Sequence, residues 1–335
     1  MRTGKVILVS TLALALGFGC KKKKTEEGPT TMGSGSAVAV VADAAPEPDA
    51  AEAPPAKAIV TMLPADMKWA PLDEKAGDKG PMMAAVWGDP MKEPNGMFLK
   101  LPAGSQGMWH SHTGDYHGVT ISGGPNHLQD GETKAKPLLA PSYWFEPKGT
   151  SHNSQCLGKE PCVVFIQFNE GPFDFAPAES KKGAKPDPRH VEKREKDLKY
   201  APMVPEAGDK GPMVAPVWGD AAAASGSFIK LPAGMVSPPH THSSDYHAVI
   251  IKGTVMDYAP DDKAPKEMGP GSYYMQPGGG AHITACKAGS ECLSYVYSAG
   301  KFDMALSPAA DATTGAGSAA PAAGSAAHGG SAHKM

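Results

Sequence analysis

The sequence predicts an all-β protein made of two tandem copies of one barrel, and three observations carry the prediction. The stretch AGDKGPMMAAVWGDP at 76–90 returns as AGDKGPMVAPVWGD at 207–220, and FLKLPAG at 98–104 returns as FIKLPAG at 228–234. Short β-prone runs (MFLKL, HGVTIS, YWFEP, VVFIQF, then SFIKL, HAVIIK, SYYMQP, LSYVYS) recur about every ten residues between Gly, Pro, Asn and Asp. No segment of either copy holds a helical apolar period over three turns, so helices should be few. Strands at this spacing suit a closed jelly roll. The AGDKGP blocks are 131 residues apart but the later landmarks 130, which places a one-residue deletion in the loop after VWGD.

Composition sets the outer limits. The chain has 335 residues, 41% hydrophobic and 20% charged, enough for two domains that each bury a core. Lys and Arg (32) nearly balance Asp and Glu (35), which argues against a nucleic-acid partner.

Taken from the N-terminus, Arg2 and Lys5 precede an apolar run, Val6 to Gly19, that is shorter than the roughly 20 residues of a membrane-spanning helix. Cys20 follows at once. The arrangement resembles a bacterial lipoprotein signal, which implies a signal peptide over 1–20, lipidation of Cys20, a membrane partner through that anchor, and a place in the bacterial cell envelope outside the cytoplasm. Residues 21–58 open with four lysines and continue in Ala, Pro, Gly and Ser, the composition of a disordered tether. The first domain is expected over 59–178 and a charged linker over 179–195. A short helix from Arg189 to Lys199 is the most that KKGAKPDPRHVEKREKDLKY (181–200) should form, with His190 solvated. The second domain is expected over 196–304. A disordered tail over 305–335 carries His328 and His333.

The histidines supply the chemistry. HSHTGDYH at 110–117 with His152 downstream is repeated as HTHSSDYH at 240–247 with His282, each pair 130 residues apart. Alternate residues of a strand share a face, so His110 and His112 can point into one barrel, as can His240 and His242. A third imidazole then arrives from another strand. Three imidazoles converging from two strands make a facial site for a divalent transition metal (Zn, Fe, Mn, Ni or Cu), up to two per chain.

Gly104, His110 and His112, followed by Pro147, Gly149 and His152, are similar to the two sequence motifs of the cupin superfamily. Gly234, His240 and His242, with Gly271, Pro277, Gly279 and His282, give the fuller match, because Pro141 replaces the glycine that opens the second motif in the first copy. The chain therefore resembles a bicupin, two tandem double-stranded β-helix barrels, and within the superfamily the bacterial DUF4437 and ChrR-like group. The resemblance implies a fourth ligand shortly after the second histidine. Cupins commonly place glutamate there, and this chain has Tyr116 and His117, or Tyr246 and His247. Histidine being the better ligand, His117 and His247 are the expected choice, with the tyrosines as the alternative that counting to the following glycine permits. Asp115 and Asp245 are expected to orient an imidazole.

A set of neutral imidazoles leaves the metal charge uncompensated and favours an anionic ligand. That weakens a manganese oxalate-degrading reading, whose sites resemble a His-and-Glu pattern, and leaves open dioxygen chemistry on an enolate. Four histidines around tetrahedral Zn would instead close the site. Cys156 and Cys162, and Cys286 and Cys292, are expected to pair as disulfides in an oxidising compartment. The abundant methionines, among them Met108 and Met235, are taken as filling, Trp87 and Trp218 as core residues of their barrels, and His127 as a surface-loop residue without a counterpart. Two functions follow: a metal-dependent enzyme, oxygenase-type, on a small anionic or carbonyl substrate, or a non-catalytic metal or small-ligand binding or sensing lipoprotein. No Ser/His/Asp or paired-carboxylate constellation competes with them.

Overall fold

A computed structural model of the chain describes residues 58–134 and 136–307; Cys20 with the expected signal peptide, most of the expected tether, and His328 and His333 lie outside the described residues. The described residues are β-strands joined by loops and four 3₁₀ turns, with no helix long and apolar enough to cross a membrane. Two jelly rolls are present, as the recurring strands predict.

In the first barrel a seven-stranded sheet runs in the order Val191–Arg194, Ser142–Glu146, Tyr116–Ser122, Cys162–Phe168, Asn95–Leu101, Met82–Trp87, Ala70–Pro71. A four-stranded sheet of Ala176–Pro177, His110–Ser111, His152–Gln155 and Asn126–Gln129 faces it. The second barrel repeats the large sheet with Val60–Met62, Tyr273–Gln276, Tyr246–Lys252, Cys292–Ser298, Ser225–Leu231, Met213–Gly219 and Ala201–Pro202. Its facing strands are His240–Thr241 with Ala305–Leu306 and Val255–Tyr258 with Ile283–Cys286, joined by the His240–His282 bridge. Ala305–Leu306 thus extends the ordered barrel into the start of the stretch read as a tail.

The two repeats exchange a strand. Val60–Met62, from the start of repeat one, pairs antiparallel with Tyr273–Met275 of the second barrel. Its counterpart Val191–Arg194, in the charged stretch where at most a helix was expected, pairs with Ser142–Phe145 of the first. The four-residue ladder with Ser142–Phe145 closes a sheet edge that would otherwise be left open, and this pairing overrides the local helical tendency of the charged stretch.

Period-two alternation sorts each central strand between two interiors. On Cys162–Phe168, Val164, Ile166 and Phe168 fill the first barrel, whereas Val163 and Phe165 face the other repeat. Tyr246, Ala248 and Ile250 likewise face into the second barrel, and Val249 and Ile251 face out. The outward set from both large sheets, including Phe98, Tyr143, Phe165, Phe228, Tyr273 and Tyr295, forms one continuous core between the barrels. Trp87 and Trp218 pack against this shared core and not inside their own barrels, which corrects the expectation for both. Each indole lies across a glycine of the neighbouring strand, and a Cβ on Gly96 or Gly226 would fall 2.1 Å from the indole nitrogen. The one-residue deletion lies between Trp218 and Ser225, as the change of phase requires.

The disulfides Cys156–Cys162 and Cys286–Cys292 are formed as expected. Each closes a loop of sequence separation 6, for which chain entropy gives about 2 kcal/mol. Reduction should therefore lower the melting temperature of the intact chain without unfolding it at room temperature, as a thermal melt with and without reductant will show.

Candidate metal centres

Each barrel brings three histidines together. His110 and His152 face one another across the small sheet, and His112 lies two residues beyond His110, just past the end of its strand. One ring nitrogen from each of His110, His112 and His152 lies within 4.8 Å of the others, and the same holds for His240, His242 and His282. The turns that deliver the third histidine depend on Gly149 and Gly279. Both have positive φ (74° and 77°), and their N–H groups donate to the carbonyls of His112 and His242 at 2.8 Å.

Which nitrogen faces the cluster is fixed by the backbone. His110 Nδ1 donates to the Met108 carbonyl (2.8 Å), His152 Nδ1 to Thr150 (3.2 Å) and His112 Nδ1 to Asp174. In the second barrel His240 Nδ1 donates to Pro238 (2.9 Å), His282 Nδ1 to Gly280 (3.0 Å) and His242 Nδ1 to Asp303. With every Nδ1 holding its proton on a carbonyl, all six Nε2 atoms keep their lone pairs, as metal ligation requires. Burial pushes the imidazoles down, His110 and His242 to about 4 and His282 to about 3, so the set is neutral at physiological pH. The donor set fits a divalent transition metal in both barrels.

His117 and His247 are not part of these clusters. Tyr116 and His117 are adjacent on one strand and so face opposite ways. Tyr116 enters the barrel, its hydroxyl 3.2 Å from His152 Nε2, and Tyr246 stands 3.3 Å from His282 Nε2. His117 and His247 turn outward, hydrogen-bonding Tyr143 (2.8 Å) and Tyr273 (2.7 Å). There His117 stacks on Trp218 of the other repeat (4.2 Å between centroids), and His247 lies against Trp87 (5.0 Å). The tyrosines, not the histidines, therefore occupy the position beside the triads.

Asp115 and Asp245 also serve a different partner: they accept from the backbone N–H of Lys148 (2.7 Å) and Gly278 (2.8 Å), tying the first motif to the turn of the second. The residues that orient an imidazole are Asp174 and Asp303, whose carbonyls hold His112 and His242 while their carboxylates cap the N–H of Thr113 (2.9 Å) and Ser243 (2.8 Å). The recurrence of Phe-Asp at 173–174 and 302–303 was the signal for them.

His127 is buried, not on a surface loop. Its Nδ1 bonds Ser154 Oγ (3.0 Å) and its Nε2 bonds Glu146 Oε2 (3.0 Å). His190 is likewise drawn in by the exchanged strand and bonds the same oxygen at 3.0 Å. Burial disfavours its charge, but bonds to Glu146 and Glu192 outweigh that and raise it to about 9. Glu146, opposed by burial, is held low by His127 and His190 and carries the matching negative charge. His127, Glu146 and His190 form a third cluster within 4.8 Å, in which Glu146 Oε2 already accepts from both histidines. A cavity of about 780 Å³ opens on the first triad, lined mainly by apolar side chains such as Leu99, Val164, Ile166, Phe173 and Phe175.

His117 and His247 make the contact between the barrels acid-sensitive. Burial lowers both to about 4, against 6.5 in an unfolded chain. Between these values the unfolded state binds more protons, so stability falls as pH drops from about 6.5 towards 4, by about 3 kcal/mol for each histidine. Thermal melts of the metal-free protein across that range should show the slope, and replacing both histidines by Gln should make it shallower, the triad histidines keeping the remainder.

Two jelly rolls in one chain, each with a histidine triad on the two motif strands, define a bicupin with sites suited to divalent metals. Residues 59–195 and 191–317 each match the model of a family described as a domain of unknown function, DUF4437, and the chain belongs to that family. Among solved structures it is similar to an oxalate decarboxylase of Bacillus subtilis, with 11% identity and a TM-score of 0.52 over 73% of this chain and 78% of that one. It is also similar to the Lactobacillus farciminis oxalate decarboxylase in complex with formate, with 12% identity and a TM-score of 0.51 over 73% of this chain and 88% of that one. At such identity the likeness is one of fold. No curated protein matches the chain.

Proposed function

We propose that the chain binds a divalent transition metal at each triad and uses the open positions to take a small molecule through an anionic or carbonyl oxygen. The observation that carries this reading is the anchoring of all six Nδ1 atoms on backbone carbonyls, which commits six Nε2 lone pairs to two points. A bound metal would act as a Lewis acid towards such an oxygen. His110, His112 and His152 would hold it in the first barrel, and His240, His242 and His282 in the second. The apolar cavity over the first triad favours a ligand with an apolar body behind its oxygen head.

The reaction class that fits is oxygenase-type chemistry on an enolisable carbonyl compound. Oxygen uptake by the metal-loaded chain on adding a β-dicarbonyl, lost when His152→Ala and His282→Ala are combined, would support it. Binding of the same compound without oxygen uptake would favour a non-catalytic ligand-binding protein. The proposed setting is the bacterial envelope, with Cys20 as lipid anchor. The short apolar run before Cys20 and the two disulfides support that setting. Radiolabelled palmitate incorporation, abolished by Cys20→Ser, tests it.

A further inference from the structure

We infer that Asp257 is the acid–base residue of the second site, so that the second barrel moves a proton on its ligand while the first only holds one; this rests on the metal-site reading above. The two barrels differ beside the third histidine of each triad. The offset of 130 sets Asp257 opposite His127, Thr284 opposite Ser154, and Gln276 opposite Glu146.

In the first barrel the arrangement is closed. Both nitrogens of His127 are used, and Glu146 Oε2 accepts from His127, His190 and, at 2.7 Å, Gln129. In the second barrel Gln276 donates to the carbonyls of Pro277 (3.2 Å) and Gly280 (3.0 Å) and carries no charge. Asp257 remains as the carboxyl beside the triad. It is 4% exposed and its strand position turns it inward with Val255. Its Oδ1 accepts from Thr284 Oγ1 at 2.7 Å and from the Tyr246 hydroxyl at 3.5 Å. Its Oδ2 is buried with no partner among the described residues.

A buried carboxyl with an unfilled oxygen costs stability, and among the described residues no cation is paired with it to offset that cost. The titratable groups against it are Tyr246 and Tyr274, both kept neutral by burial, and the Tyr246 hydroxyl stands between Asp257 and His282 Nε2. Burial lifts the carboxyl to about 7, only partly countered by the Thr284 and Tyr246 bonds, so it can take up and return a proton near neutrality. The ligand class this selects is a weakly acidic hydroxyl compound or an enolisable carbonyl compound. Its O–H or C–H bond breaks with the electron pair staying on the ligand; the proton bonds to the Tyr246 oxygen as the Tyr246 hydroxyl proton passes to Asp257 Oδ1 along the hydrogen bond between them. The products are an anionic ligand and a neutral carboxyl.

The test uses the full chain in a His152→Ala background, which leaves the second triad to load with Co(II), and acetohydroxamic acid as the weakly acidic probe. Titration calorimetry in buffers of different ionisation enthalpy counts the protons released when the probe binds. With Asp257 present the proton stays on the protein; with Asp257→Asn one more proton should reach the buffer. Equal counts in the two proteins would overturn the proposal. Failure of the background to take up Co(II) at all would overturn the metal-site reading and the proposal with it. Should Asp257→Asn not fold, difference infrared spectroscopy of the background protein decides. A protonated-carboxyl band appearing on probe addition above neutral pH is expected, and its absence contradicts the proposal.

Discussion

His282→Ala should remove one of two metal equivalents and leave the other in place. The second site is built from three Nε2 atoms with no further histidine within reach among the described residues, because His247 faces the opposite side of its strand. Altering only the partners that orient a ligand typically costs 10- to 100-fold in affinity, so losing a ligand should cost at least about 100-fold. The first triad belongs to the other barrel and should keep its affinity. His152→Ala should give the mirror result. His117→Ala and His247→Ala should retain both equivalents while lowering the melting temperature, since their rings stack on Trp218 and Trp87. That contrast separates the triads from the outward histidines, and chelator competition followed by metal analysis reads it directly.

The second large effect concerns folding. A chain ending at Asp187 or beginning at Ala201 should not yield a stable barrel on its own, because each repeat gives a strand to the other and the two large sheets cover one core. Truncating one aromatic in that core, as in Phe165→Ala or Tyr295→Ala, should cost about 3–5 kcal/mol, since both are about 1% exposed and ringed by the other repeat. Unfolding of the whole chain should be a single transition monitored by fluorescence and by circular dichroism. Two separated transitions would mean the barrels are stable independently.

Much of this was legible in the sequence because it repeats. Identical spacing in the two copies exposed the triads, the disulfides and the strand run before any coordinates. What remained hidden depends on contacts between distant segments. Nothing local to Val191–Arg194 says that it closes the edge beside Ser142–Glu146, and so His190 could not be placed near Glu146. Nor could Trp87 be assigned to the core between the barrels, because alternation shows which residues share a face but not what covers that face. The same limit decided the fourth position. Tyr116 and His117 are one residue apart, only one can enter the barrel, and residue chemistry favoured the histidine while strand geometry chose the tyrosine. Asp257 was not legible because the repeated histidines carry the pattern, and at this position His127 aligns with a carboxylate.

Metal content bears most directly on the central claim. The untagged full-length protein, exported to an oxidising compartment and purified without chelator, should carry about two equivalents of a divalent transition metal per chain by mass spectrometry, one for each Nε2 cluster. His152→Ala and His282→Ala should each reduce this to about one. A folded protein that retains no metal, and takes none up when supplied with Zn, Fe, Mn, Ni or Cu, would contradict the account.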